Sequence, residues 1–164
     1  MKDDFSGLPG TVVTLPVLIT ATIAGSKENA PEPEFRAVRK MIESSGKDMT
    51  LGVDVFPDPA ESEIEIGQSW VTWADEVLID YACPMLYTDS LSYFIKYLDR
   101  ALVTAGNKCS VIPGIGLITS HNKITPDLMV AEINASHSRG AAGVAFFSGY
   151  SLSEDLISIL TGFH

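Results

Sequence analysis

The run Val111-Ile-Pro-Gly-Ile-Gly-Leu-Ile118 carries no charged residue and no polar face at either parity. A strand of that kind has to be covered on both sides, which points to a parallel sheet clad in helices rather than to a sheet with one wet face. The strand expected at Ser110 to Ile118 is one of four. Met49 to Phe56, Leu78 to Tyr87 and Ala141 to Phe147 are the others, and helical-period segments separate them from Glu34 onward. Alternation of this sort is the signature of βα units.

The intervening helices carry their own marks. Phe35, Val38, Met41 and Ile42 share one face of a helix that should end at Gly46. Ile66, Trp70, Trp73 and Val77 fall at steps of four, three and four, which predicts one apolar helical stripe with both tryptophans as packing residues. Leu91, Phe94, Ile95, Leu98 and Leu102 form the clearest amphipathic helix. Thr125 as N-cap, Pro126 in the first turn and Gly140 after Arg139 bracket the next one, and Glu154 to Leu160 closes the series. Repeated βα order admits a barrel or an open doubly wound sheet. No Gly-rich phosphate loop occurs, and Gly114-Ile-Gly116 is only a fragment of one. The chain of 164 residues is too short for a complete eight-unit barrel of about 250, so a barrel pattern here belongs to part of one.

With 21 acidic against 11 basic residues, the net charge of −10 argues against nucleic acid and anionic lipid as partners, and leaves neutral ligands such as sugars compatible. Cys83 and Cys109 are too few and too far apart for a zinc motif, so buried free thiols and no metal site are expected. Val12 to Ala24 is apolar but short and broken by Pro16, which excludes it as a membrane span. The opening Met-Lys-Asp-Asp lacks the positive start of a signal peptide. Residues 1–33 read as an apolar arm or extra strand followed by a Pro31-Glu-Pro33 linker, and residues 34–164 as the α/β unit.

In a parallel barrel the working groups come from the C-terminal strand ends and the loops after them. Period two puts Ile79, Tyr81, Cys83, Met85 and Tyr87 on one face of their strand, so Tyr87 and Asp80 point apart. Tyr87 can bond a sugar carbonyl through its phenol while its ring packs on an apolar sugar face. Asp54 shares a face with Gly52 and Phe56, and a carboxylate inside an apolar strand needs a partner or a raised pKa. Asp89 is either a second carboxylate or the N-cap of the following helix. Asp58, between two prolines, reads as a turn residue, and Glu76 and Asp80 as structural or solvated. His121 offers a polar contact or an exposed loop side chain. Phe147 and Tyr150 are placed to wall a cleft, and Gly114 and Gly116 suggest space on the inward face.

These residues resemble a known family. Leu51-Gly-Val-Asp-Val-Phe-Pro-Asp-Pro59, Gln68-Ser-Trp70 with Trp73, Ile79-Asp-Tyr-Ala-Cys-Pro-Met-Leu-Tyr-Thr88, Pro113-Gly-Ile-Gly116 and Arg139-Gly-Ala-Ala-Gly-Val-Ala-Phe-Phe-Ser148 together look like the glycosyl-hydrolase-like 10 family of bacterial TIM-barrel proteins. The resemblance covers roughly residues 35 to 160 and matches the C-terminal half of a (β/α)8 barrel. It implies hydrolysis of O-glycosyl bonds in a polysaccharide or cell-wall glycan by a full-length parent, without a cofactor, in a secreted or cell-envelope setting. The half alone is expected to be inactive. Met85-Leu-Tyr87-Thr-Asp89 is also similar to the sixth-strand Met-x-Tyr-Asp of family 18 chitinases, with one residue inserted, which implies contact of Tyr87 and Asp89 with a substrate acetamido group. The candidate catalytic pair is Asp54 and Asp89, and the candidate substrate contacts are Tyr87, Met85, Phe56, His121 and Tyr150. Two further readings stay open: a non-catalytic carbohydrate-binding or remnant barrel, and an unrelated α/β enzyme with an open sheet. Half a barrel leaves two open strand edges and an uncovered inner face, so self-association or marginal stability is expected.

Overall fold

The structure is a computed structural model that describes residues 32–162. The arm or strand expected at Val12 to Ala24 lies outside the described residues. Four strand positions follow one another in chain order, all parallel. β1 (Gly52–Val55) pairs with β2 (Tyr81–Pro84), with Gly52 opposite Tyr81 and Asp54 opposite Cys83. The third position is shared by β3 (Ser110–Val111), which pairs with β2, and β4 (Gly114–Gly116), which pairs with β5 (Ala145–Phe147).

The single strand expected over 110 to 118 is interrupted because Pro113 has no N–H to offer the ladder. The arc of sheet nevertheless continues across the break. Ile112 N–H donates to the Ala82 carbonyl at 3.0 Å, the Pro113 carbonyl accepts from Ala145 N–H at 3.0 Å, and Leu86 N–H donates to the Gly114 carbonyl at 3.0 Å.

Helices clad the outer face. α1 (Glu32–Ser45) starts inside the expected linker, where Pro33 sits in the first turn and its missing N–H costs no helical bond. Phe35 and Ile42 are buried as expected, whereas Met41 is exposed. The stripe expected to run unbroken from Ile66 to Val77 is divided between two helices, α2 (Pro59–Ile66) and α3 (Trp70–Asp75). Gly67 ends α2 in the left-handed region at φ 69°, with its N–H returned to the Glu63 carbonyl. Trp70 and Trp73 are core residues, and Trp73 packs on Phe35 with ring centroids 4.3 Å apart. Val77 lies beyond α3 and is 66% exposed.

α4 (Leu91–Ala105) begins at Ser90, whose hydroxyl accepts from Tyr93 N–H, and buries Phe94, Leu98, Ala101 and Ala105. α5 (Pro126–Ser138) opens at the expected Thr125 cap and packs on α4. α6 (Glu154–Thr161) ends the described chain, capped by Ser153. Among the described residues no helix is long and apolar enough to cross a membrane.

One polar brace fixes the N-terminal end of the sheet. The Asp80 carboxylate accepts from Leu51 N–H at 2.6 Å and from Arg39 at 2.9 Å, and Arg39 also donates twice to the Leu78 carbonyl. A single aspartate thereby ties α1, the entry to β1 and the entry to β2 together.

Candidate ligand-binding site at the C-terminal strand ends

The inner face of the arc has three tiers. Lowest, the Tyr81 ring lies across Gly52, where a Cβ would come within 2.0 Å of the ring carbons. Only glycine leaves room for this ring, which seals the bottom of the face. In the middle tier, Asp54 and Cys83 are register partners on adjacent strands, so the thiol and the carboxyl lie side by side on the inner face. Burial pushes the Asp54 carboxyl above its ordinary range, and the neighbouring thiol offsets part of that shift. Burial first, and then the neighbouring Asp54 charge, push the Cys83 thiol upward.

Uppermost, Tyr87 crosses the two glycines of β4. A Cβ on Gly114 would stand 3.3 Å from Tyr87 Cε1, and one on Gly116 would stand 3.0 Å from Tyr87 Cβ. The space expected at these glycines is therefore occupied by the tyrosine. Its ring reaches Phe147 on the next strand, with centroids 5.4 Å apart and planes 16° from parallel. Burial raises the Tyr87 phenol, with smaller contributions from Cys83 and Asp54, so it is a neutral hydrogen-bond donor at neutral pH.

The loop after β4 is fixed by Asn122, which is buried. Its amide donates to the Gly116 carbonyl at 2.7 Å and, more weakly, to the Thr88 carbonyl at 3.4 Å, while its oxygen accepts from the Thr119 hydroxyl at 2.6 Å. This residue holds the loop after β4 against the end of β2 and so frames the upper tier.

The candidate residues divide by position. Asp54, Met85 and Tyr87 lie on the inner face itself, and Met85 is bridged to Gly114. Phe56 follows β1 and is 44% exposed, and Tyr150 stands fully exposed in a 3-10 turn after β5. His121 is exposed at the tip of the Asn122 loop. Asp89 is exposed and accepts from Lys123 N–H at 3.1 Å, the cap of α4 being Ser90 instead. Asp58 caps α2 and pairs with Arg100, and Glu76 pairs with Arg36, in keeping with structural roles.

Two buried groups carry no role in the sequence reading. Cys83 was legible as inward-facing by parity, but its pairing with Asp54 depends on register. Glu132 was not legible at all: it is 1% exposed, neither carboxyl oxygen has a hydrogen-bond partner, and burial raises its pKa to about 8, with a further push from Asp89. Among the described residues no group of three or more His, Cys, Asp or Glu is placed to hold a metal ion.

No family model matches this sequence, and no curated protein does. Solved structures do. The chain is similar to the PgaB (BpsB) glycoside hydrolase domain from Bordetella bronchiseptica, at 12% identity and TM-score 0.54, over 80% of this chain and 41% of that one. It is also similar to a Schiff base-forming fructose-1,6-bisphosphate aldolase, at 18% identity and TM-score 0.50, over 78% of this chain and 49% of that one. Both are TIM-barrel proteins. This chain is a partial (β/α)8 barrel. It spans less than half the length of either neighbour, and the tier of Tyr87 and Phe147 lies at the end of the partial barrel where this fold carries its active sites.

Proposed function

We propose that this chain supplies one ligand-facing half of a glycoside-hydrolase-like barrel acting on a polysaccharide or cell-wall glycan. One observation carries the reading: the Tyr87–Phe147 stack and the Asp54–Cys83 pair share the inner face, with the stack nearer the C-terminal strand ends. The stack offers an aromatic edge and a phenol to a sugar, and the pair beneath offers a carboxyl whose burial favours the protonated form. In this reading Asp54 donates the proton to the leaving oxygen, and Asp89, at the rim, is the second carboxylate. Tyr87 binds, with Met85, Phe56, His121 and Tyr150 bordering the cleft. The resemblance to the glycosyl-hydrolase-like 10 family favours the substrate class and a secreted or cell-envelope setting, and the likeness of fold to a glycoside hydrolase domain is in keeping with the substrate class.

A second reading, a carbohydrate-binding half-barrel without catalysis, is favoured by the state of the two carboxylates. Asp54 lies opposite the Cys83 thiol and Asp89 accepts from Lys123 N–H, so each already has a polar neighbour within the chain. The full chain, titrated with soluble oligomers of N-acetylglucosamine and assayed for new reducing ends, separates the two. Hydrolysis that disappears in Asp54→Asn while binding persists establishes the catalytic reading. Binding with no hydrolysis, unchanged when the rest of the barrel is supplied, establishes the second, and a folded chain that binds none of the glycans overturns both.

A further inference from the structure

The two outer strands of the arc present complementary open edges. The carbonyls of Leu51 and Val55 point toward β2, where they accept from Asp80 and Met85, so the alternating groups of Gly52, Asp54 and Phe56 face away from it. At the other end, Ala145 N–H and the Phe147 carbonyl bond toward β4, which turns the N–H and carbonyl of Phe146 outward. Among the described residues no strand pairs with either edge. Gln68 covers only the upper end of the β1 edge: its side-chain oxygen accepts from Phe56 N–H at 3.0 Å, and its amide reaches the Asp54 carbonyl at 3.5 Å. The backbone of Gly52 is left open below it. Beside these edges Phe56 and Phe147 are 44% and 53% exposed.

We propose that two copies of this chain associate about a two-fold axis along the barrel axis, the β1 edge of each meeting the β5 edge of the other, to close a barrel of eight strand positions. Strand arithmetic favours a second copy over other occupants. Four parallel positions are half of the eight that close this fold, and a two-fold along the axis keeps every strand parallel. The chain's own residues 1–31 could cover the β1 edge but would leave β5 open, whereas a second copy pairs both edges at once. The matched regions make up 41% and 49% of the two TIM-barrel neighbours, so in those proteins roughly another half accompanies the part shared with this chain. Closure places two Tyr87–Phe147 tiers around one lumen, each facing the other copy. The charge of −10 on each copy opposes the contact, so added salt should strengthen it.

Sedimentation velocity on the full chain, from low to high micromolar and at low and high salt, is the test. A reversible monomer–dimer equilibrium that tightens with salt and shows no larger species is expected. Phe146→Pro removes the outward N–H of β5 and leaves the bonds of Ala145 and Phe147 to β4, so it should weaken the dimer about tenfold or more. Phe146→Ala loses the same ring but keeps the N–H, and should dimerise more tightly than the proline variant. A monomer throughout, a ladder of species beyond the dimer, or equal behaviour of the two variants overturns the proposal. So does a chain that dimerises only after residues 1–31 are removed, which would assign the edge to that segment. A wild-type chain that stays monomeric or forms larger species overturns the proposal even if the proline variant fails to fold.

Discussion

Tyr87 and Phe147 stack across Gly116, which lies on the strand between them and has no side chain to hold the rings apart. A Cβ at Gly116 would meet Asn122 Oδ1 at 2.7 Å and Thr119 Cγ2 at 2.9 Å as well as Tyr87. The glycine is thus squeezed between the aromatic tier and the Asn122 brace. Gly116→Ala should lower stability by about 1 to 3 kcal/mol through overpacking and change the near-ultraviolet circular dichroism of the tyrosine. An unchanged urea midpoint with an unchanged aromatic spectrum would contradict this packing.

Arg39 reaches the Leu78 carbonyl and the Asp80 carboxylate from α1, and its side chain is only 16% exposed. Truncation leaves a carboxylate and a carbonyl short of donors at the foot of the sheet. Arg39→Ala should cost about 1.5 to 3 kcal/mol, and Arg39→Lys should recover only part of it because an ammonium cannot reproduce the fork. Denaturant unfolding of the three proteins checks the order.

Glu132 makes stability depend on pH. Its folded pKa of about 8 lies above the ordinary 4.5, so between those values the folded state keeps a proton that the unfolded state has released. The stabilising contribution is therefore fully present below about pH 4.5, is lost at up to about 1.4 kcal/mol per pH unit as pH rises, and is exhausted above about pH 8. Glu132→Gln keeps the shape without the proton. Its stability advantage over the parent should be small near pH 4.5 and grow to a few kcal/mol by pH 8. Parallel stability curves for the two proteins across that range would show that this carboxyl is not desolvated.

Val77 holds φ at 57° although it is β-branched, and it is 66% exposed after α3. The left-handed region is costly for such a side chain and cheap for glycine or asparagine. Val77→Gly and Val77→Asn should each raise the melting temperature, with a gain of about 1 kcal/mol. Destabilisation in both would mean that the valine packs in a way its exposure does not reveal.

Much of this arrangement was legible before the structure, and the illegible parts share a cause. Alternation alone put Tyr81, Cys83 and Tyr87 on one face, because a strand's side-chain period is fixed by its backbone. The Thr125 and Gly140 boundaries were equally local. Register is not local: that Asp54 faces Cys83 follows from how β1 slides against β2. The glycines of β4 suggested space, yet the tyrosine at the end of the neighbouring β2 fills it. Glu132 would read as solvated in the middle of a helix of low amphipathicity, and only the packing of α5 on α4 buries it. Val77 extended a helical stripe in sequence, but Gly67 divides that stripe between two helices and α3 ends at Asp75, short of Val77.

The most direct test of the glycan-cleft reading is the affinity of the folded chain for N-acetylglucosamine oligomers, measured by calorimetry on the parent, Tyr87→Phe and Tyr87→Ala, with the unfolding midpoint recorded for each. Loss of the phenol should weaken binding by about 0.5 to 1.5 kcal/mol, and loss of the ring by more, per folded molecule. Equal affinity in all three folded proteins would contradict the account and remove the Tyr87 tier from any ligand site.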